Sequence, residues 1–129
     1  MNENGRETMV SGACAHPSTV AARPRRVASP EGLERAARLF RAVADVSRLR
    51  VLELLAEGEA CVSELAELMG VGISTVSQQL KVLWTERLIG RRREGKHIFY
   101  RLADEHVSGI VRAVLDHVHE PGRGSEESE

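Results

Sequence analysis

Between Cys61 and Leu102 the spacing of apolar residues changes twice, and those two changes leave few folds open. Leu65, Ala66, Leu68 and Met69 recur at helical intervals until Gly70-Val71-Gly72 interrupts them. The helical period resumes from about Ser74, with Val76, Leu80, Val82, Leu83 and Leu88 at apolar positions. Two short helices joined by a glycine-containing turn make a helix-turn-helix. After Leu88 the pattern becomes alternating. Residues 89–93 and 96–102 therefore read as two strands around Glu94-Gly95, with Ile98, Tyr100 and Leu102 facing inward. A basic hairpin directly after such a helix pair is a wing.

Helices flank this unit. Ser29 can cap a first helix with Pro30 at its first position and Leu33, Ala36, Ala37, Phe40 and Val43 on its apolar face. Asp45 can cap a second, which carries Leu49, Val51, Leu52, Leu54 and Leu55 and closes at Gly58. A last helix runs from about Asp104 to Glu120, before Pro121-Gly122. The fold class expected is mainly α with a small β-hairpin, a homodimeric winged helix-turn-helix. Residues 1–28 read as a flexible arm, 29–120 as the folded domain, and 121–129 as a disordered acidic tail.

The charge of this 129-residue chain is unevenly placed. Its net charge is −1, yet residues 70–101 hold seven basic residues against two acidic ones, a net of +5. Residues 104–129 reverse that balance, at −5. One polyanion-binding face is the expectation. The helix after the glycine turn offers Ser74, Thr75, Ser77, Gln78, Gln79 and Lys81, groups suited to phosphates and base edges in a major groove. Arg91, Arg93 and Lys96 of the hairpin are the expected phosphate contacts. Double-stranded DNA is thus the expected partner.

Other classes find little support. No apolar run is long enough to span a bilayer, and no apolar leader segment is evident at the N-terminus. The two cysteines lie far apart and suggest no disulfide framework. A reducing, cytoplasmic location without membrane partners is expected. No P-loop, convincing carboxylate pair or Ser/His/Asp arrangement is present, so an enzyme is not expected.

Two half-sets of metal ligands stand at the ends of the last helix. Asp104 and His106 open it; His117 and Glu120 close it. His117 and Glu120 share a face, and His106 lies three turns earlier on that face. Eleven residues of helix span roughly 16 Å, whereas a zinc–nitrogen bond is about 2 Å. One ion cannot touch both ends. Two antiparallel copies can combine Asp104 and His106 of one chain with His117 and Glu120 of the other, giving two symmetric intersubunit sites. Gly109 and Ala113 on the same stripe permit close approach, and the neighbouring valines, Ile110 and Leu115 can face a core or a dimer interface. A structural alternative stands beside this. Asp104 is also a good N-cap, and histidines at a helix C-terminus complement its dipole. His119 points off the ligand face.

Taken together, residues 33–120 resemble the ArsR/SmtB family of metal-sensing winged-helix repressors. The resemblance is carried by Ala44-Asp45-Val46-Ser47-Arg48-Leu49-Arg50, Cys61-Val62-Ser63-Glu64-Leu65, the helix from Ser74 to Leu83, and Gly95-Lys96-His97-Ile98-Phe99-Tyr100. It implies a dimer that binds operator DNA when metal-free and leaves it when metal binds. It also implies that Asp104, His106, His117 and Glu120 form the C-terminal-helix site of zinc-sensing members. It places the segment between Trp84 and Leu88 beside the last helix, where a backbone carbonyl can accept a hydrogen bond from metal-bound His117.

A second family site uses cysteines at the start of the third helix together with the N-terminal arm. Here Cys61-Val62-Ser63 lacks one thiol of the Cys-x-Cys form, leaving Cys14, His16, Cys61 and Glu64 as a mixed candidate set. A buried Cys61 and an unengaged Cys14 are the alternative. Two imidazoles and two carboxylates suit zinc, cobalt or another borderline divalent ion, and leave no open position for a substrate. The expected function is a zinc-responsive transcriptional repressor. The competing readings are a thiol-based redox or sulfide sensor of the same fold using Cys14 and Cys61, and a metal-buffering protein without DNA specificity.

Overall fold

A computed structural model describes residues 27–121. Cys14, His16, most of the N-terminal arm and the acidic tail lie outside the described residues. The elements run α1 (Pro30–Val43), α2 (Val46–Glu57), β1 (Ala60–Cys61), α3 (Val62–Met69), α4 (Ile73–Thr85), β2 (Ile89–Glu94), β3 (His97–Leu102) and α5 (Glu105–His119).

Local chemistry sets the boundaries. Asp45 caps α2 with Oδ2 accepting from the Arg48 N–H at 3.0 Å. Asp104 caps α5 with Oδ1 accepting from the Val107 N–H at 3.0 Å. Gly70 ends α3 in the left-handed region, at φ 71°, and its N–H bonds the Ala66 carbonyl at 2.8 Å. A side chain is disfavoured at that angle, so the glycine lets the chain turn sharply into α4. Asp45→Ala should cost about 1 kcal/mol of stability, read as a lower urea midpoint at unchanged m-value. An unchanged midpoint would show that the cap contributes nothing.

The core gathers around α2 and α4. Val51, Leu52 and Leu55 of α2 meet Leu65 and Ala66 of α3, and Val76, Leu80 and Leu83 of α4. Leu88, Ile89, Val107 and Val111 close it from the wing and α5. The sheet order is β1-β3-β2, antiparallel throughout. The alternating pattern around Glu94-Gly95 does form the hairpin, with Glu94 paired to His97 and the turn at Gly95-Lys96. A third strand joins it: Ala60 pairs with Tyr100 and Cys61 with Phe99. Two residues are too few to show a period, so β1 has no signature in the sequence.

Two apolar faces behave differently from the core. On α1 only Ala42 is buried, with Leu39 and Val43 packed partly against the core, while Leu33, Ala36, Ala37 and Phe40 are exposed. On α5, Val107, Val111 and Leu115 turn inward, whereas Ile110, Val114 and Val118 form an exposed ridge. Phe40 is 61% exposed and Val118 69%. Leu68, expected among the apolar positions of α3, is also exposed. No helix among the described residues is long and apolar enough to cross a membrane.

Candidate nucleic-acid interface and metal half-sites

The buried side of α4 is defined by Val76, Leu80 and Leu83. The opposite side presents Ser74, Thr75, Ser77, Gln78 and Lys81, all exposed. Gln79 differs. It is half-buried at the margin nearest α2, and its Oε1 accepts from Arg48 Nη1 at 3.2 Å. At the other margin stands Trp84, 41% exposed, with the Arg91 guanidinium 4.1 Å from its ring centroid.

The wing's arginines fall into separate roles. Strand register places Arg91 opposite Tyr100 and Arg93 opposite Ile98, on one face of the hairpin. Arg91 therefore stacks on α4 through Trp84, a cation–π contact worth about 0.5–1 kcal/mol at an exposed position. Arg92 points to the other face. It binds Glu59 at 2.9 Å and Glu94 at 2.8 Å and lies over Phe99, tying the wing to the segment before β1. The hydrogen bond from Arg92 holds the Glu59 carboxyl below the usual carboxylate range. That clamp is complete above the ordinary carboxylate pKa and is lost as pH falls through the lowered one. Arg93 and Lys96 are exposed toward the tip.

Trp84 is the single tryptophan of the chain, so its fluorescence reports this stack. Arg91→Ala should increase acrylamide quenching of Trp84, because the guanidinium covers one ring face. Quenching equal to wild type would mean that the stack does not persist in solution.

The candidate metal half-sites stand at opposite ends of α5. Asp104 and His106 share its first turn, with Oδ1 and Nδ1 3.7 Å apart, and the His106 side chain is 93% exposed. His117 and Glu120 lie with Asp116, His119 and Ala113 around a shallow surface depression at the far end. Among the described residues, no group of three or more His, Cys, Asp or Glu side chains is arranged to hold a metal ion within one protomer.

A groove lies along the near half of α5. Arg35, Leu39, Phe40 and Val43 of α1 line one side; Glu86, Arg87, Asp104, His106 and Ile110 are among its other walls. The segment after α4 thus adjoins the Asp104–His106 end of its own α5. Arg87 there adopts φ 62°, and the Leu88 and Arg87 N–H groups close the helix onto the Leu83 and Trp84 carbonyls. An Arg38–Glu86 ion pair of 3.3 Å joins this end of α4 to α1.

Cys61 is half-buried at the N-cap of α3, where its N–H donates to Glu64 Oε1 at 2.9 Å and its Sγ lies 3.2 Å from Ser63 Oγ. Of the mixed set, Cys61 and Glu64 are thus brought together as a helix cap. Cys14 and His16 lie outside the described residues. Sequence reasoning passed over Arg48 and Trp84, which flank the exposed face of α4. A guanidinium or an indole carries no sign of its partner until the helices and the wing are placed.

Comparison with known proteins gives this geometry a family. Residues 45–90 match the family described as "Bacterial regulatory protein, arsR family". A Synechocystis protein described as "Transcriptional repressor SmtB homolog" is 45% identical over 94 residues, covering 73% of this chain and 71% of that one. A Staphylococcus aureus protein described as a cadmium resistance transcriptional regulatory protein CadC homolog is 34% identical over 85 residues, covering 65% and 70%. Among solved structures, the homodimeric winged helix-turn-helix DNA-binding domain of a possible ArsR-family regulator from Mycobacterium bovis superposes with a TM-score of 0.69 at 32% identity, covering 80% of this chain and 94% of that one. The chain belongs to the ArsR family of winged helix-turn-helix DNA-binding transcriptional regulators.

Proposed function

We propose that this protein is a zinc-responsive transcriptional repressor. It binds operator DNA as a metal-free homodimer and leaves that DNA when metal binds at the α5 helices. The observation that carries the reading is the division of one ligand set between the two ends of α5, beside an exposed ridge of Ile110, Val114 and Val118. A second copy running antiparallel covers the ridge and completes both sites. The Mycobacterium bovis neighbour is itself described as homodimeric, which supports the same assembly here.

The donors present fit zinc. Two imidazoles and two carboxylates supply four ligands to a borderline divalent ion. Asp104 Oδ1 is held by the Val107 N–H, which fixes the carboxylate and leaves Oδ2 to ligate. Bound zinc supplies positive charge and a link between subunits; the protein's residues do the rest. The ring nitrogen of His117 that does not ligate donates to a carbonyl of the partner. The acceptor lies in the segment between Trp84 and Leu88, which adjoins the Asp104–His106 end of α5 through Glu86 and Arg87. These lie at the end of α4, so a change at α5 biases the angle between the two recognition helices.

DNA reading falls to Ser74, Thr75, Ser77, Gln78, Gln79 and Lys81 of α4, with Arg93 and Lys96 on phosphates. Arg91 reaches phosphate only beside Trp84.

Cobalt substitution tests the ligand set. Visible d–d bands without thiolate charge-transfer absorption are expected, and they should vanish in His106→Ala. Strong thiolate charge-transfer that survives His106→Ala would move the sensing site to Cys14 and Cys61.

A further inference from the structure

Gln79 cannot be treated as one more amide on the surface of α4, because Arg48 holds it. Arg48 Nη1 donates to Gln79 Oε1 at 3.2 Å, and Arg48 Nε donates to the Ala42 carbonyl at the end of α1. The Arg48 backbone N–H is capped in turn by Asp45. The guanidinium is thereby fixed between α1, α2 and α4 before any ligand arrives.

This arrangement decides which end of the amide is available. A guanidinium carries only donors, so the atom facing it must be the oxygen. Glutamine amides are otherwise ambiguous in orientation. Here the oxygen is engaged by Arg48, so Nε2, with its two hydrogens, is the end of the amide that this bond leaves to donate elsewhere. An unconstrained glutamine reads adenine with both ends, accepting from N6 and donating to N7. Guanine presents two acceptors instead, O6 and N7.

We propose that Arg48 is a positioning residue that determines base specificity, turning Gln79 into a donor that selects guanine over adenine at one operator position. The proposal rests on the reading of α4 as the recognition helix and adds to it what one of its residues reads.

The test is selection of bound duplexes from a pool with a randomised half-site, using the full-length chain free of metal. Wild type should show one position with guanine favoured over adenine on the order of tenfold. Gln79→Ala should flatten that position alone. Gln79→Glu keeps a partner for Arg48 but offers only acceptors, so the preference there should pass to cytosine, whose N4 donates. Arg48→Met frees the amide, and adenine should rise to parity with guanine or above it. A purely structural bond would lower the melting temperature of Arg48→Met and leave the base profile unmoved, which would overturn the proposal. Should Arg48→Met fail to fold, Gln79→Glu decides, and retained guanine preference there would also overturn it. Ser77→Ala and Gln78→Ala separate the role of the helix from that of the Arg48–Gln79 pair. If they too leave every position unchanged, α4 is not the reader and the underlying assignment has failed. If they alter the profile while Gln79→Ala does not, only the role given to Gln79 and Arg48 has failed.

Discussion

A dimer assembled from one chain carrying His106→Ala and one carrying His117→Ala should bind a single tight zinc ion, while neither mutant homodimer binds any tightly. That count follows from pairing opposite ends of α5. One symmetric position draws on both altered chains and loses both imidazoles. The other draws Asp104 and His106 from the second chain, His117 and Glu120 from the first, and is intact. Structural zinc sites are worth on the order of 10 kcal/mol. Loss of even an outer partner of a ligand costs about 10–100-fold in affinity, and removing an imidazole that touches the metal should cost more. Competition with a chromophoric chelator gives the count directly. Tight zinc in the His106→Ala homodimer would mean that the half-sites do not combine across subunits.

The second large effect concerns DNA. Gln78→Ala should erase discrimination at a base position, a loss of about 1–3 kcal/mol on operator and almost none on random duplex. Arg93→Ala should weaken both alike and reduce the salt slope by about 1 for each phosphate it no longer neutralises. The structure sharpens this contrast. Arg92 is engaged by Glu59 and Glu94, and Arg91 by Trp84, whereas Arg93 stands exposed opposite Ile98 near the wing tip. Arg92→Ala should therefore change the salt slope less than Arg93→Ala. Equal slopes for the two variants in affinity measured across salt concentrations would contradict that ranking.

The parts of this architecture that obey a period were legible in the sequence. Gly70 marks the turn before α4 because only a left-handed residue fits there, and the alternation after Leu88 marks the wing because strand faces alternate. Asp45 and Asp104 announced their helices through capping chemistry. What escaped was whatever depends on how elements meet. The face of α1 with Leu33 and Phe40 looks like core in sequence, yet the protomer leaves it exposed. β1 is visible only through its partner Tyr100. Residue type alone places Gln79 and Arg91 among exposed DNA ligands. Each is instead held by a side chain distant in sequence or on another element, Arg48 and Trp84. The opposed placement of Asp104–His106 and His117–Glu120 was fully legible, because an α-helix has a fixed rise and a fixed turn.

The proposed zinc response requires a link between α5 and the recognition helices. It is tested most directly by titrating zinc into the metal-free protein bound to fluorescent DNA from upstream of its own gene, and following anisotropy. Wild type should bind that DNA and release it as two zinc ions per dimer are taken up. Its affinity should fall about 5–150-fold, the span of a coupling of about 1–3 kcal/mol. Zinc uptake at that stoichiometry with no loss of DNA affinity would contradict the link.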